Sequence, residues 1–237
     1  MTNEMERITA AGLEALNLPA EKAPLLAEYG RRLLEANQVM NLTAITEPQQ
    51  VARLHFLDCA ALLKEADFSG RSVIDVGTGA GFPGLVLKTV EPSLSLTLLD
   101  SLGKRVDFLK ETAEALGLTD VTCLHARAEE ASQLPELRQQ FDFAVSRAVA
   151  ALPLLCELCL PYVKVGGFFL AMKGPDCAEE LSSAASAVRL LGGTFRPTRT
   201  YGIPGTDVVH SVVVIEKTAP TPASYPRRWA KIQKAPL

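Results

Sequence analysis

The run Asp75-Val76-Gly77-Thr78-Gly79-Ala80-Gly81-Phe82-Pro83-Gly84 turns an apolar strand pattern into a helical one, and the rest of the chain can be read outward from it. It follows Ser72–Val76, which reads as a buried strand, and it carries Pro83 near the first turn of the next helix. Glycines in such a turn let the backbone bend tightly and approach a ligand without Cβ collisions. The helix that follows is short and should end at Glu91, because Pro92 disfavours helix in the residue before it. A second strand, Leu94–Leu99, then leads to Asp100.

Beyond this point strands and helices alternate. Val121–His125, Phe141–Ser146 and Phe168–Met172 read as strands, and Ser101–Leu116 as a helix with Leu102, Val106, Leu109, Ala113 and Leu116 on one face. Alternation at this spacing predicts parallel strands joined by right-handed crossovers. Thr194–Tyr201 and Val208–Lys217 are separated only by Gly202–Asp207, too short for a crossover helix, so they should pair antiparallel. Before the glycine run, Pro24–Ala36 and Pro48–Ala66 read as amphipathic helices, with a polar stretch Asn37–Thr46 between them and a helix start near Thr46 or Glu47. The fold class expected is α/β: a Rossmann-like, mostly parallel sheet ending in an antiparallel hairpin and preceded by N-terminal helices, the outline of class I methyltransferases. The expected organisation is a helical region 1–70 packed on the main domain 71–217, then a basic, proline-containing tail 218–237.

Composition narrows the setting. The chain has 237 residues, 48% of them hydrophobic, enough to bury a full core. No run of about 18 apolar residues without charge occurs, and the start, MTNEMERITA, lacks the apolar stretch of a signal peptide; a soluble cytoplasmic protein is expected. Five scattered cysteines suit a reducing compartment. Cys156 and Cys159 form a lone C-x-x-C in an apolar helical stretch, and the three histidines are dispersed, so no metal site is expected. A net charge of −3 argues against bulk attraction to nucleic acid. However, Lys217, Arg227, Arg228, Lys231 and Lys234 stand without an acidic neighbour from Lys217 onward, a tail that could meet RNA or simply be solvated.

The glycine run admits two cofactor readings. Gly79 to Gly84 matches G-x-G-x-x-G, and an acid such as Asp100 at the end of the second strand accepts hydrogen bonds from the ribose of either NAD or S-adenosyl-L-methionine. Asp75 separates them: a carboxylate at the mouth of the first strand would repel a pyrophosphate but suits a ligand carrying an ammonium and a sulfonium. S-adenosyl-L-methionine is therefore the expected cofactor, with Asp75, Gly77, Gly79, Gly81, Asp100 and Ser101 around it. Other strand ends, Arg127–Glu129 and Ser146–Arg147, face the same crevice.

These blocks together resemble the RsmG (glucose-inhibited division protein B) family of bacterial 16S rRNA (guanine-N7)-methyltransferases. The resemblance rests on Asp75–Gly84, on Leu98-Leu99-Asp100-Ser101-Leu102-Gly103-Lys104-Arg105, on Val145-Ser146-Arg147-Ala148 and on Met172-Lys173-Gly174. Asn41-Leu42-Thr43, His55-Phe56-Leu57-Asp58 and the Tyr225-Pro226-Arg227 tail also correspond, so the similarity runs from about Leu33 onward. Departures fall in the helical third, at Ala36, Leu54 and Cys59. The resemblance implies methyl transfer to N7 of a guanine equivalent to position 527 of 16S rRNA, as naked rRNA or in a small-subunit precursor. It implies cofactor contacts at Gly77, Phe82, Ala128, Glu129 and Arg147. Arg147 and Lys173 are candidates for positioning the guanine, and Arg127, Lys173, Arg227 and Arg228 for holding RNA. Because N7 carries a free lone pair, in-line displacement needs no general base, and catalysis is mainly positioning. The rival readings are a small-molecule methyltransferase, an NAD-dependent oxidoreductase and a non-catalytic RNA-binding module. No membrane partner is expected, and nothing demands more than a monomer.

Overall fold

The computed structural model describes residues 2–237. Eight strands form one sheet: β1 (Ser72–Val76), β2 (Ser95–Asp100), β3 (Val121–His125), β4 (Phe141–Arg147), β5 (Val163–Lys173), β6 (Gly193–Phe195), β7 (Arg199–Gly202) and β8 (Val209–Lys217). Their order is β3-β2-β1-β4-β5-β8-β6, with β7 also on β8. The first five run parallel, and β8 lies antiparallel to β5. The stretch expected as one strand from Thr194 to Tyr201 is two pieces, β6 and β7, along the same antiparallel edge of β8. Pro197 lies between them; it has no N–H to give a ladder.

Side chains alternate across this sheet with a period of two. Val73, Leu96, Leu98, Phe143, Val145, Leu170, Met172, Val212 and Val214 face one core. Ile74, Leu99, Ala144, Phe169, Ala171, Val213 and Ile215 face the other. The helices α1 (Thr2–Ala15), α2 (Ala23–Met40), α5 (Gly84–Val90) and α6 (Gly103–Ala115) cover the first face. The second is covered by α7 (Ala128–Ala131), α8 (Leu152–Cys159), α9 (Ala178–Leu190) and α10 (Trp229–Lys234). Cys156 and Cys159 are buried, unpaired packing residues of α8. No helix among the described residues is long and apolar enough to cross a membrane.

Three local features set the crevice. Helix α2 runs past its expected end to Met40 and stops at Asn41, which takes the left-handed conformation (φ 51°) that Asn tolerates. After it, α3 (Pro48–Val51) passes through a π-helical segment, Ala52–Leu57, into α4 (Asp58–Ala61). Such wide turns are rare and cluster at functional sites; this one carries His55 and leads into Asp58. Helix α6 starts at Gly103, later than the periodicity indicates. Asp100 Oδ1 accepts the N–H of Leu102 (2.9 Å), holding Leu102 extended and leaving it 52% exposed instead of on the apolar face.

The C-terminal segment is a docked strap, in contrast to the free tail that its charge implies. Arg138 donates to the carbonyls of Thr221, Pro222 and Tyr225 (3.0–3.2 Å), and Tyr225, Trp229 and Leu237 pack on the second core around buried Ile232. Two cations of the basic stretch that begins at Lys217, the last residue of β8, face inward. Lys217 is fully buried, with Nζ donating to Leu160 O (2.7 Å), and burial pushes its ammonium down to about 7. Arg227 closes on Glu157, itself fully buried, at 2.7–2.8 Å.

Candidate active site

Two adjoining cavities open at the carboxyl ends of the parallel strands, where ligands enter doubly wound sheets. The larger, about 430 Å³, is walled by the glycine loop, His55, Phe82, Arg105 and Arg147. The smaller, about 150 Å³, is walled by Arg127, Ala128, Glu129, Leu158 and Trp229. Gly77, Asp100, Ser101 and Val149 line both. A wider groove of about 600 Å³ lies by α1 and α2, around Met5, Arg31 and Glu35, but it holds neither the glycine loop nor a strand end. Volume alone does not mark the site.

The glycine loop fits a ligand pressed against backbone. Gly79 has φ 60°, and a Cβ built there meets nothing within 4 Å, so the loop offers bare backbone to open space. Gly81 has the opposite reason: at φ 105° its Cβ would strike Tyr29 Oη at 2.6 Å and Leu85 at 2.7 Å. Asp100 ties the loop down by accepting the Gly79 N–H (2.9 Å) and faces Arg105 at 3.6 Å. A carboxylate has about four lone-pair positions, so Asp100 retains acceptors for ribose hydroxyls. The fit to S-adenosyl-L-methionine is good: bare backbone, a strand-end acid, and a second cavity beside the first for the base.

Asp75 corrects the reading of that loop. Its side chain is fully buried beneath the turn and does not reach the mouth of the strand. Oδ2 accepts Thr78 Oγ1 (2.7 Å) and the N–H of Gly84 (2.8 Å), while Oδ1 has no partner, and burial pushes the carboxyl up to about 7. The loop's own donors claim this acid, so it braces the turn instead of meeting a cation.

On the larger cavity's inner side a polar chain ties three regions together. Arg147, at the end of β4, donates from Nη1 to Leu54 O (3.0 Å) and Asp58 Oδ2 (3.2 Å), and from Nη2 to His55 Nδ1 (2.9 Å). Guanidinium is always a donor, so His55 Nδ1 accepts and Nε2–H donates to Thr43 Oγ1 (2.8 Å). Asn37 in turn holds the backbone of Thr43 through both its amide atoms (2.9 Å each). Asp58 Oδ1 accepts Tyr201 Oη and His210 Nδ1, both at 2.8 Å, from the C-terminal hairpin. Phe82 lies beneath, stacked on His55 (4.5 Å between centroids) with the Arg147 guanidinium 4.7 Å from its ring centre.

Charge in this chain is fixed by its contacts. Burial, helped by Arg147, pushes His55 down to about 3, so it stays neutral. Burial opposes the charge on Asp58, but hydrogen bonds from His210 and Tyr201 and the Arg147 charge outweigh it and hold its carboxyl below the usual value. The same carboxylate raises His210.

Of the residues singled out in the sequence, Gly77, Gly79, Phe82, Asp100, Ser101, Arg127, Ala128, Glu129 and Arg147 line one or both cavities. Gly81 supports the loop from beneath. Lys173 lines neither: Nζ donates to Ala150 O (3.0 Å) and Glu180 (2.7 Å), because the α9 carboxylate reaches back to it and to the N–H of Leu152. Arg227 is committed to Glu157, whereas Arg228 is exposed. Arg127 is half-exposed and donates to Glu129 (2.9 Å). Tyr201, His210 and Trp229 escape a reading from sequence. Thr43 and His55 had motif letters to mark them, but nothing local to Tyr201, His210 or Trp229 signals a shared crevice.

Comparison with known proteins agrees with this geometry. A family model described as "GidB: rRNA small subunit methyltransferase G" matches residues 22–199. A ribosomal RNA small subunit methyltransferase G of Alkaliphilus metalliredigens is 49% identical over 213 residues, 90% of this chain and 89% of that one. One from Alkaliphilus oremlandii is 44% identical over 237 residues, covering 99% of each. In fold, the chain is similar to a SAM-dependent methyltransferase of Aquifex aeolicus, with a TM-score of 0.51 and 21% identity over 71% of this chain and 93% of that one.

Proposed function

From the premise that the chain belongs to the rRNA small subunit methyltransferase G family, we propose that it transfers a methyl group from S-adenosyl-L-methionine to N7 of a guanine in 16S rRNA, the equivalent of position 527. The observation that carries this reading is the continuity of the crevice. A glycine loop with bare backbone and a strand-end acid adjoin a wall of fixed Arg147 and neutral His55.

In this reading Asp100 and Ser101 hold the ribose, Ala128 and Glu129 meet the adenine, and Gly77 and Gly79 lie along the amino-acid portion. S-adenosyl-L-methionine supplies a methyl carbon made electrophilic by a positively charged sulfur. The protein's part is to orient the acceptor. Both ring nitrogens of His55 are engaged, one by Arg147 and one by Thr43, so the imidazole in the wall is not free to take a proton. That suits N7, whose lone pair is already available. Arg147 uses three of its five N–H donors on Leu54, Asp58 and His55, leaving two for the acceptor base or its phosphate.

The target guanine sits in a loop, because the deep A-form major groove hides N7, and the substrate is rRNA or a small-subunit precursor in the cytoplasm. Purified protein given methyl-labelled S-adenosyl-L-methionine and unmethylated small-subunit rRNA should yield label in 7-methylguanosine alone. Label in another nucleoside, or none, overturns the reading.

A further inference from the structure

The larger cavity has its walls in the glycine loop and the helical third, but the smaller one borrows a wall from elsewhere. Trp229 lines it together with Asp100, Ser101, Ala126, Ala128, Val149 and Leu158. Trp229 opens α10, which belongs to the C-terminal strap and lies beyond residues 22–199, where the family model matches. The stretch that the family model matches therefore stops short of this side of the cavity.

The strap is held firmly where it matters. Just before Trp229, the backbone N–H of Arg227 donates to Glu157 Oε1 (2.8 Å), and its guanidinium grips the same carboxylate at Nε (2.8 Å) and Nη2 (2.7 Å). Glu157 lies in α8, next to Leu158, which is itself a wall of the cavity. Gln133, just beyond α7, donates to Pro226 O (3.2 Å), and Ile232 is fully buried one turn later. The Arg127 guanidinium, also a wall of this cavity, stands 6.0 Å from the centre of the indole. The indole is thus fixed between an interior anchor and a cation, at the edge of a cavity of about 150 Å³.

We propose that Trp229 is a cofactor-binding residue, the outer aromatic wall of the adenine pocket, and that the C-terminal strap completes the cofactor site. This deepens the methyltransferase reading and rests on it. The ligand class is any nucleoside carrying adenine at this position, so S-adenosylhomocysteine and adenosine should share the contact and methionine should not. Arg127, which was a candidate phosphate contact, here also backs the indole.

Trp229 is the single tryptophan of the chain, so all tryptophan emission comes from this position. The test titrates the full-length protein with S-adenosylhomocysteine, adenosine and methionine, following tryptophan fluorescence and, in parallel, heat of binding. The expected result is a saturable change in emission with the two adenine-bearing ligands and none with methionine. Trp229→Ala should weaken S-adenosylhomocysteine by about tenfold, the range for loss of one base–aromatic stack, and should act on KM for the cofactor much more than on kcat. Trp229→Phe should recover most of the affinity, which a merely disordered strap would not allow. If calorimetry shows S-adenosylhomocysteine binding while emission stays flat and Trp229→Ala binds within about twofold of the parent, the inference is overturned and the methyltransferase reading stands. If calorimetry shows no binding of the cofactor product at all, the methyltransferase reading falls and takes this inference with it.

Discussion

Arg147 and Arg227 each close on a buried carboxylate far away in the chain, Asp58 at 89 positions and Glu157 at 70. Both pins fasten a peripheral segment to the main domain: the helical third to the end of β4 in one case, the C-terminal strap to α8 in the other. They differ in where the guanidinium lies. Arg227 grips both oxygens of Glu157 and lines neither of the two main cavities. Arg147 touches Asp58 through one nitrogen, spreads its other bonds over Leu54 and His55, and keeps two N–H donors at a cavity wall. A basic residue thus counts toward the methyl acceptor only where it keeps donors and also lines the crevice, and sequence alone ranks these two arginines alike.

Breaking each pin should separate the roles. Arg147→Ala should lower methyl transfer at least about a hundredfold, as loss of acceptor alignment does. It should also cost about 2–3 kcal/mol in denaturant unfolding, less than full loss of a buried pair, because Tyr201 and His210 still hold Asp58. Arg147→Lys, which keeps the charge without the fork, should recover stability more than rate. Arg227→Ala leaves Glu157 buried without its partner and should cost about 3 kcal/mol, with the salt dependence of rRNA binding unaltered. A flattened salt dependence in Arg227→Ala would return that residue to the RNA surface.

Acid sharpens the contrast on the Arg147 side. The unfolded chain protonates His55 below about pH 6.5, but the folded one refuses that proton until about 3, so this residue makes stability fall as pH drops through that window. His210 works in the other direction: raised by Asp58, its contribution is present at low pH and lost as pH rises through its folded value. Denaturation midpoints of the parent and His55→Gln between pH 7 and 5 should therefore diverge at the alkaline end and converge toward the acid end. A constant gap would remove His55 from the pH response. The smallest effect belongs to exposed Arg228, whose replacement by Ala should reduce the log–log salt slope of rRNA binding by about one phosphate contact and change stability by less than about 0.5 kcal/mol.

The strands were legible because each alternates or runs apolar between sharp breakers; Ser72–Val76 and Val121–His125 match their expected bounds. The helix before Pro92 ends at Val90, as the proline requires. The glycine loop was legible for a similar local reason, since few sequences need so many residues without Cβ in one turn. What failed was everything decided by distant partners. Asp75 looked like a ligand contact until Thr78 and Gly84 claimed it, Lys173 until Glu180 did, and Lys217 and Arg227 until the interior took their charges. The Tyr201–His210–Asp58 cluster and the Trp229 wall join segments more than 100 positions apart in several cases, which no local pattern encodes.

The most direct check compares small-subunit rRNA from cells carrying and lacking this gene by strand cleavage at 7-methylguanine. The account predicts one cleavage site that disappears with the gene and returns with the intact gene, but not with the Arg147→Ala form. An unchanged cleavage pattern, or full restoration by Arg147→Ala, would contradict it.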